Sequence, residues 1–288
     1  METLSKIALP VFLLAALCLS GCTEEKAKAL RLAAESFKTE ANAACSMGAD
    51  TIKAAVSLPP RTRLEISRNL AEAKQFGANE LEIIYSDSSI VDAGIAPALS
   101  ALNKACEAHR QLAAIYTDLP RGYLLATDDV KKAQKHVVNV TLRFAKLAQV
   151  FDSLPNVGRD NIARIKIIEA RAKAMAVTDE KVRAPLLDAV AEEILENQAR
   201  ETLKRTQVLA QFAKATSFGE QLTQMSINYE QLSVADILES LQELSSLYGN
   251  ITSRTSVGQN AIERIQQVEA RIKNDPRLSP LLEVDVIQ

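Results

Sequence analysis

The chain of 288 residues contains no tryptophan, and aromatic side chains make up only 4% of it. A binding cage built from large rings is therefore not expected. Glycine and proline number nine each, too few for the many tight turns of a β-sandwich or barrel. The charges nearly cancel: 34 Lys and Arg stand against 36 Asp and Glu, a formal net charge of -2. Without a basic tract, the chain lacks the electrostatic footprint of a nucleic-acid binder. The signatures HExxH and GxSxG, the P-loop and the dinucleotide-binding fingerprint do not occur in it. His109 and His136 are the two histidines. Neither has a glutamate or cysteine at metal-ligand spacing, so each is read as a surface or half-buried helix residue. A Cys106–His109 nucleophile is geometrically conceivable, since residues three apart share a helix face, but a disulfide at Cys106 removes it. No cofactor, metal or catalytic residue is expected.

What is present is helix-forming sequence. Ala, Leu, Glu, Lys, Gln and Arg fill long stretches. Apolar residues recur every three or four positions, as in Ile162, Ile165, Ile168 and Ala172, and again in Ile262, Ile265, Val268 and Ile272. Helices are expected over Glu24–Leu58, Arg61–Ile84, from Asp92, Thr127–Leu154, Arg159–Val177, Ala184–Thr216, Ser233–Tyr248 and Ser256–Asn274. Pro59-Pro60 and Pro120-Arg121-Gly122 punctuate them, and Pro155-Asn156-Val157-Gly158 is read as a hairpin turn. Thr62/Glu65 and Ser256/Gln259 have capping-box spacing. Three stretches break the rhythm. These are Tyr85–Pro97; Thr216–Ser233, where Phe218, Met225 and Tyr229 suit a short amphipathic helix; and the tail, where Leu282, Val284 and Val286 alternate like a short strand. The tail is expected to lie along the bundle.

An internal duplication is visible. Val157–Lys173 lies against Val257–Lys273 at an offset of 100, with about nine identities in 17 positions. The copies share Arg164/Arg264, Glu169/Glu269 and Arg171/Arg271. A fainter match at offset 96 relates Ser57-Leu58-Pro59, Ile66 and Arg68 to Ser153-Leu154-Pro155, Ile162 and Arg164. The expected fold is all-α, with long antiparallel helical hairpins in roughly 100-residue three-helix repeats. It divides into 22–120, 121–216 and a partial copy at 217–288. The plan is similar to spectrin-type repeats in architecture alone, and the units could stack as a rod or pack as a compact bundle. Arg164, Arg171, Arg264 and Arg271 are expected to be either a solvated face kept by duplication, the preferred reading, or a repeated interaction face. Asn139-Val140-Thr141 and Asn250-Ile251-Thr252 fit the glycosylation sequon.

The N-terminus carries an address. After Lys6, Ile7 to Leu19 is an uncharged apolar run of about 13 residues, whereas a spanning helix needs roughly 20. The run ends in Leu19-Ser20-Gly21-Cys22. That quartet resembles the lipobox of bacterial lipoproteins. The resemblance covers the first 22 residues and implies a signal peptide over 1–21, cleavage before Cys22, and lipidation of Cys22. It implies a protein held to a membrane by its lipid on the periplasmic side of the envelope. Thr23 stands where an Asp commonly retains such proteins at the inner membrane, which points to the outer membrane. Glu2 departs from the usual positive start. The expected partners are the membrane, through the anchor, and another envelope protein.

Of the four cysteines, Cys18 would leave with the signal and Cys22 would take lipid. Cys45 and Cys106 remain for an oxidising compartment. At about 1.5 Å of rise per residue, three helices running up, down and up place Cys45 about 32 Å and Cys106 about 37 Å above the start of the first. Ala41, Ala44, Ala105 and Ala108 flank them and allow close approach. A structural disulfide is expected.

Overall fold

The computed structural model describes residues 5–55, 96–112, 127–154, 158, 160–248 and 260–283. Several sequence expectations lie outside them: the helix at Arg61–Ile84, the faint third copy around Ile66 and Arg68, the capping boxes at Thr62 and Ser256, Asn250–Thr252, and the tail beyond Glu283.

Among the described residues the chain is all-helical and without strands. Helix α1 is Ser5–Ala55, and α2 covers 96–112. They are followed by α3 (Thr127–Ser153), α4 (Asn161–Met175), α5 (Glu180–Ile227), α6 (Val234–Tyr248) and α7 (Ala261–Asn274). A 3-10 turn at Ser279–Leu281 closes the described chain. No described helix is long and apolar enough to cross a membrane. Helix α1 begins at Ser5, before the expected Glu24.

Helix α5 is the spine. Its 48 residues give a length of about 72 Å, and it touches α1, α3, α4, α6 and α7. It runs antiparallel to α1: Lys26 meets Tyr229, Phe37 meets Gly219, and Glu40 meets Gln211 and Lys214. The helix was expected to break at Thr216, but it continues to Ile227. The polar residues that suggested a break keep the helix satisfied from within. Thr216, Thr223 and Ser226 donate their hydroxyls to the carbonyls of Phe212, Gly219 and Leu222, at 2.8, 2.9 and 2.8 Å. Phe218, Leu222 and Met225 are buried between them. At Gly219 the backbones come so close that a Cβ would collide with Thr141 Oγ1. At its other end α5 begins at Glu180 rather than Ala184, because Asp179 caps it by accepting from Lys181 N at 3.0 Å.

Most of the expected turn at 155–158 lies outside the described residues, but the helices on either side of it run in the same sense. Helix α3 runs antiparallel to α5, with Thr141 beside Gly219, Phe151 against Phe212 at 5.0 Å between ring centroids, and Asp152 at Arg205. Helix α4 continues in the same sense, with Arg164 at Glu201. The two lie in line, and the reversal comes at Val177–Asp179. Helix α7 packs on α5 in the opposite sense: Arg264 meets Ser217, Arg271 meets Glu220 and Arg277 meets Asn228. The duplicated sequences therefore occupy non-equivalent positions. The boundary expected at 216/217 falls inside α5, and α1, α2, α3, α5, α6 and the first turn of α7 share one hydrophobic core. Burial of Phe37, Phe144, Phe151 and Phe212 stabilises it by roughly 1.5–3 kcal/mol each.

The tail lies along the bundle as far as Glu283. Leu278 is fully buried in a smaller cluster with Val138, Leu142, Val268 and Ile272. Asn139 donates to Leu281 O and accepts from Glu283 N, each at 2.9 Å. Burial of Asn139 takes this sequon out of reach of glycosylation.

Candidate functional site

The first feature is where α1 joins the bundle. Cys22 lies on α1, five positions before Ala27, which is 0% exposed. Lys26 Nζ sits 5.0 Å above the ring of Tyr229. The helical core thus begins almost at once after Cys22, with less than two turns between them.

The second is the seam between α1 and α2. Cys45 and Cys106 are joined, with Cα atoms 5.9 Å apart. One turn along, His109 Nε2 meets Asn42 Oδ1 at 3.1 Å. One turn the other way, Gly48 faces Leu102. These rungs step by three residues along α1 and by three and then four along α2, in opposite directions, as antiparallel neighbours must. Ala41, Ala44 and Ala105 are fully buried beside them, which lets the helices approach to disulfide distance. His109 departs from expectation. It is 2% exposed, with its ring edge-on to Phe37 and Phe144 at 6.0 and 6.3 Å. Burial, reinforced by Lys38 and Arg110, lowers its pKa from 6.5 to about 4. Its spacing from Cys106 placed it on the seam, but a single histidine in a helix gave no sign of burial. His136 is exposed, as a surface residue would be.

The third is the junction of α3 and α4. Gly158 takes a left-handed φ of 91° and tucks against Glu201 and Arg205 of α5. Glu201 Oε1 accepts from Asp160 N at 3.0 Å, Asn197 Nδ2 at 3.0 Å and Arg164 Nε at 2.8 Å, and Oε2 accepts from Arg164 Nη2 at 2.6 Å. Burial alone pushes this carboxyl up. The Arg164 guanidinium, the Asp160 N–H and the Asn197 amide together outweigh it and hold the group below the usual glutamate range. Arg205 donates to the carbonyls of Asp152 and Leu154 at 2.7 and 3.3 Å, closing the C-terminus of α3. The sequence singled out Arg164 but not Glu201 or Arg205, because their pairing depends on a contact between distant helices.

Three of the four arginines engage α5. Arg164 is committed to Glu201, Arg264 donates to Ser217 Oγ at 3.2 Å, and Arg271 pairs with Glu220 at 2.8 Å. Arg171 lies exposed on α4. Twin positions thus carry unequal loads. Replacing Arg164 with alanine is expected to cost about 2–3 kcal/mol, since it strips a buried carboxylate of its cation. Arg264→Ala removes the bond to Ser217 but leaves Glu220 paired with Arg271, and is expected to cost less, about 1 kcal/mol. Urea unfolding of the two variants checks this, and equal losses would contradict it.

Comparison of the chain with protein-family models, with curated proteins and with solved structures found no match.

Proposed function

We propose that the chain is a lipid-anchored helical protein of a bacterial envelope that works by non-enzymatic contact with another envelope protein. The observation that carries this reading is Leu19-Ser20-Gly21-Cys22 at the end of a short apolar run, directly ahead of the first buried turn of α1. The Cys45–Cys106 bond fits an oxidising compartment. On this reading, residues 1–21 are removed and Cys22 carries the lipid on the periplasmic side, with the outer membrane favoured by Thr23. Several acyl chains hold a protein stably at a surface, and confinement raises its effective concentration toward a neighbour. The 100-residue duplication is then a record of how the sequence arose, put to different uses in the folded chain.

The presenting surface moves from the arginines to the α4–α5 hairpin. Of the eight exposed large hydrophobic residues described, five lie between 175 and 203: Met175, Val182, Leu186, Leu195 (65% exposed) and Leu203. Because Tyr229, just past the end of α5, lies beside Lys26, the hairpin tip can stand up to about 70 Å from the anchored end. A second reading is a small-molecule or lipid-binding lipoprotein. It is favoured by a groove of about 460 Å³ between α1 and α5, with Ala43, Met47 and Ala54 beside Asp50, Lys204 and Gln207.

In-cell cross-linking of the intact chain beside Cys22→Ala separates the two readings. The first predicts capture of one envelope protein that is lost with the anchor. Co-purification of a lipid or small molecule without any protein partner supports the groove instead.

A further inference from the structure

We infer that His109 makes the α1–α2–α3 seam open in acid, with the Cys45–Cys106 bond holding α1 and α2 together while it does so. His109 is 2% exposed. With Asn42 Oδ1 facing it, Nε2 carries the proton of the neutral ring, and Nδ1 is buried with no hydrogen-bond partner among the described residues. Phe37 of α1 and Phe144 of α3 present their rings. Among the described residues the charged groups facing His109 are Lys38 of α1 and Arg110 of α2, the latter paired with Glu107 at 2.7 Å. A second proton would put a cation at Nδ1 among aromatic rings, near two other cations, with no acceptor in place. The folded seam therefore excludes that proton, and the opened seam accepts it.

Direction and range follow from linkage. The folded pKa of about 4 lies below the ordinary 6.5. The neutral ring's contribution is complete above about pH 6.5 and is lost as the pH falls toward 4. Cys106 stands one turn from His109 on the same face of α2, and Cys45 one turn from Asn42 on α1. Opening on the histidine side therefore leaves the helices joined at the next rung. Separation is limited, and reclosure on neutralisation needs no search for the partner helix.

The test is amide hydrogen exchange of the oxidised full chain, read at 100–112 and 37–48, at pH 7.5 and 4.5 after correction for intrinsic rates. Protection at both stretches should fall roughly 70-fold. His109→Leu should flatten that change, and exposed His136→Leu should keep it. In case His109→Leu perturbs packing, ring nitrogen resonances of the unaltered chain give a second measurement: His109 should stay neutral down to about pH 5, with its proton on Nε2. A His109 ring that titrates near 6.5, or a seam whose acid response survives His109→Leu, would overturn the inference.

Discussion

Replacing Cys45 and Cys106 together with alanine should lower the unfolding free energy by about 4 kcal/mol. The bond closes a loop with a sequence separation of 61, and the chain-entropy relation gives about 4 kcal/mol for a loop of that length. Both ends sit in regular helix on the packed α1–α2 seam, so the folded state supplies the geometry whether or not the bond is made. The loss should therefore appear as greater freedom of the unfolded chain. Breaking the bond in the native sequence with a thiol reductant should have the same effect within about 1 kcal/mol. Urea unfolding of the oxidised, reduced and doubly substituted chains provides the comparison. A loss below about 1 kcal/mol would mean that the unfolded chain keeps the two cysteine segments close without the bond.

Gly158→Ala should cost about 3–4 kcal/mol, a large penalty for one methyl group. Two effects combine. The left-handed φ of 91° costs an L-residue roughly 1–2 kcal/mol. The added Cβ would also collide with the carbonyl oxygen of Glu201 and come within 3.0 Å of Arg205 N, and such overpacking costs about 1–3 kcal/mol. Both obstacles are backbone atoms of α5, so they cannot swing aside. The loss should be felt first at the α3–α4 junction. Hydrogen exchange should show α4 and the facing turns of α5 losing protection well before the α1–α2 seam does. A variant within about 0.5 kcal/mol of the native chain would show that the junction does not hold α4 in line with α3.

Particular residues show what could be read from sequence. The limits of α3 and α6 followed from apolar periodicity and from nearby breakers, because burial of one stripe dictates both period and length. The Cys45–Cys106 pairing followed from rise per residue and small neighbours, since both cysteines sit within regular helix. Thr216 misled because hydroxyl-rich stretches usually favour turns. Here three hydroxyls bond back to carbonyls one turn earlier, and the surrounding Phe218, Leu222 and Met225 decide for helix. The turn at 155–158 misled for a related reason. Breakers in a sequence mark an interruption but not its direction, and here the described ends, Leu154 and Gly158, both meet Arg205 on another helix. The duplicated arginines show the same limit. The matching arginines met different neighbours on α5: Arg164 forks onto Glu201, whereas Arg264 donates to Ser217 beside the Glu220–Arg271 pair. Burial of His109 depends on Phe37 and Phe144 arriving from two other helices, and no local pattern announces that.

The claim on which the rest of the functional account depends is that Cys22 becomes the lipid-bearing first residue of an anchored protein. Intact-mass spectrometry of the full-length product, expressed in a bacterium and taken from the membrane fraction, tests it directly. The account predicts a chain that has lost residues 1–21 and gained acyl mass at Cys22, with Cys22→Ala neither processed nor lipidated in this way. A chain that retains Met1, or one cut elsewhere and free of lipid, would contradict it.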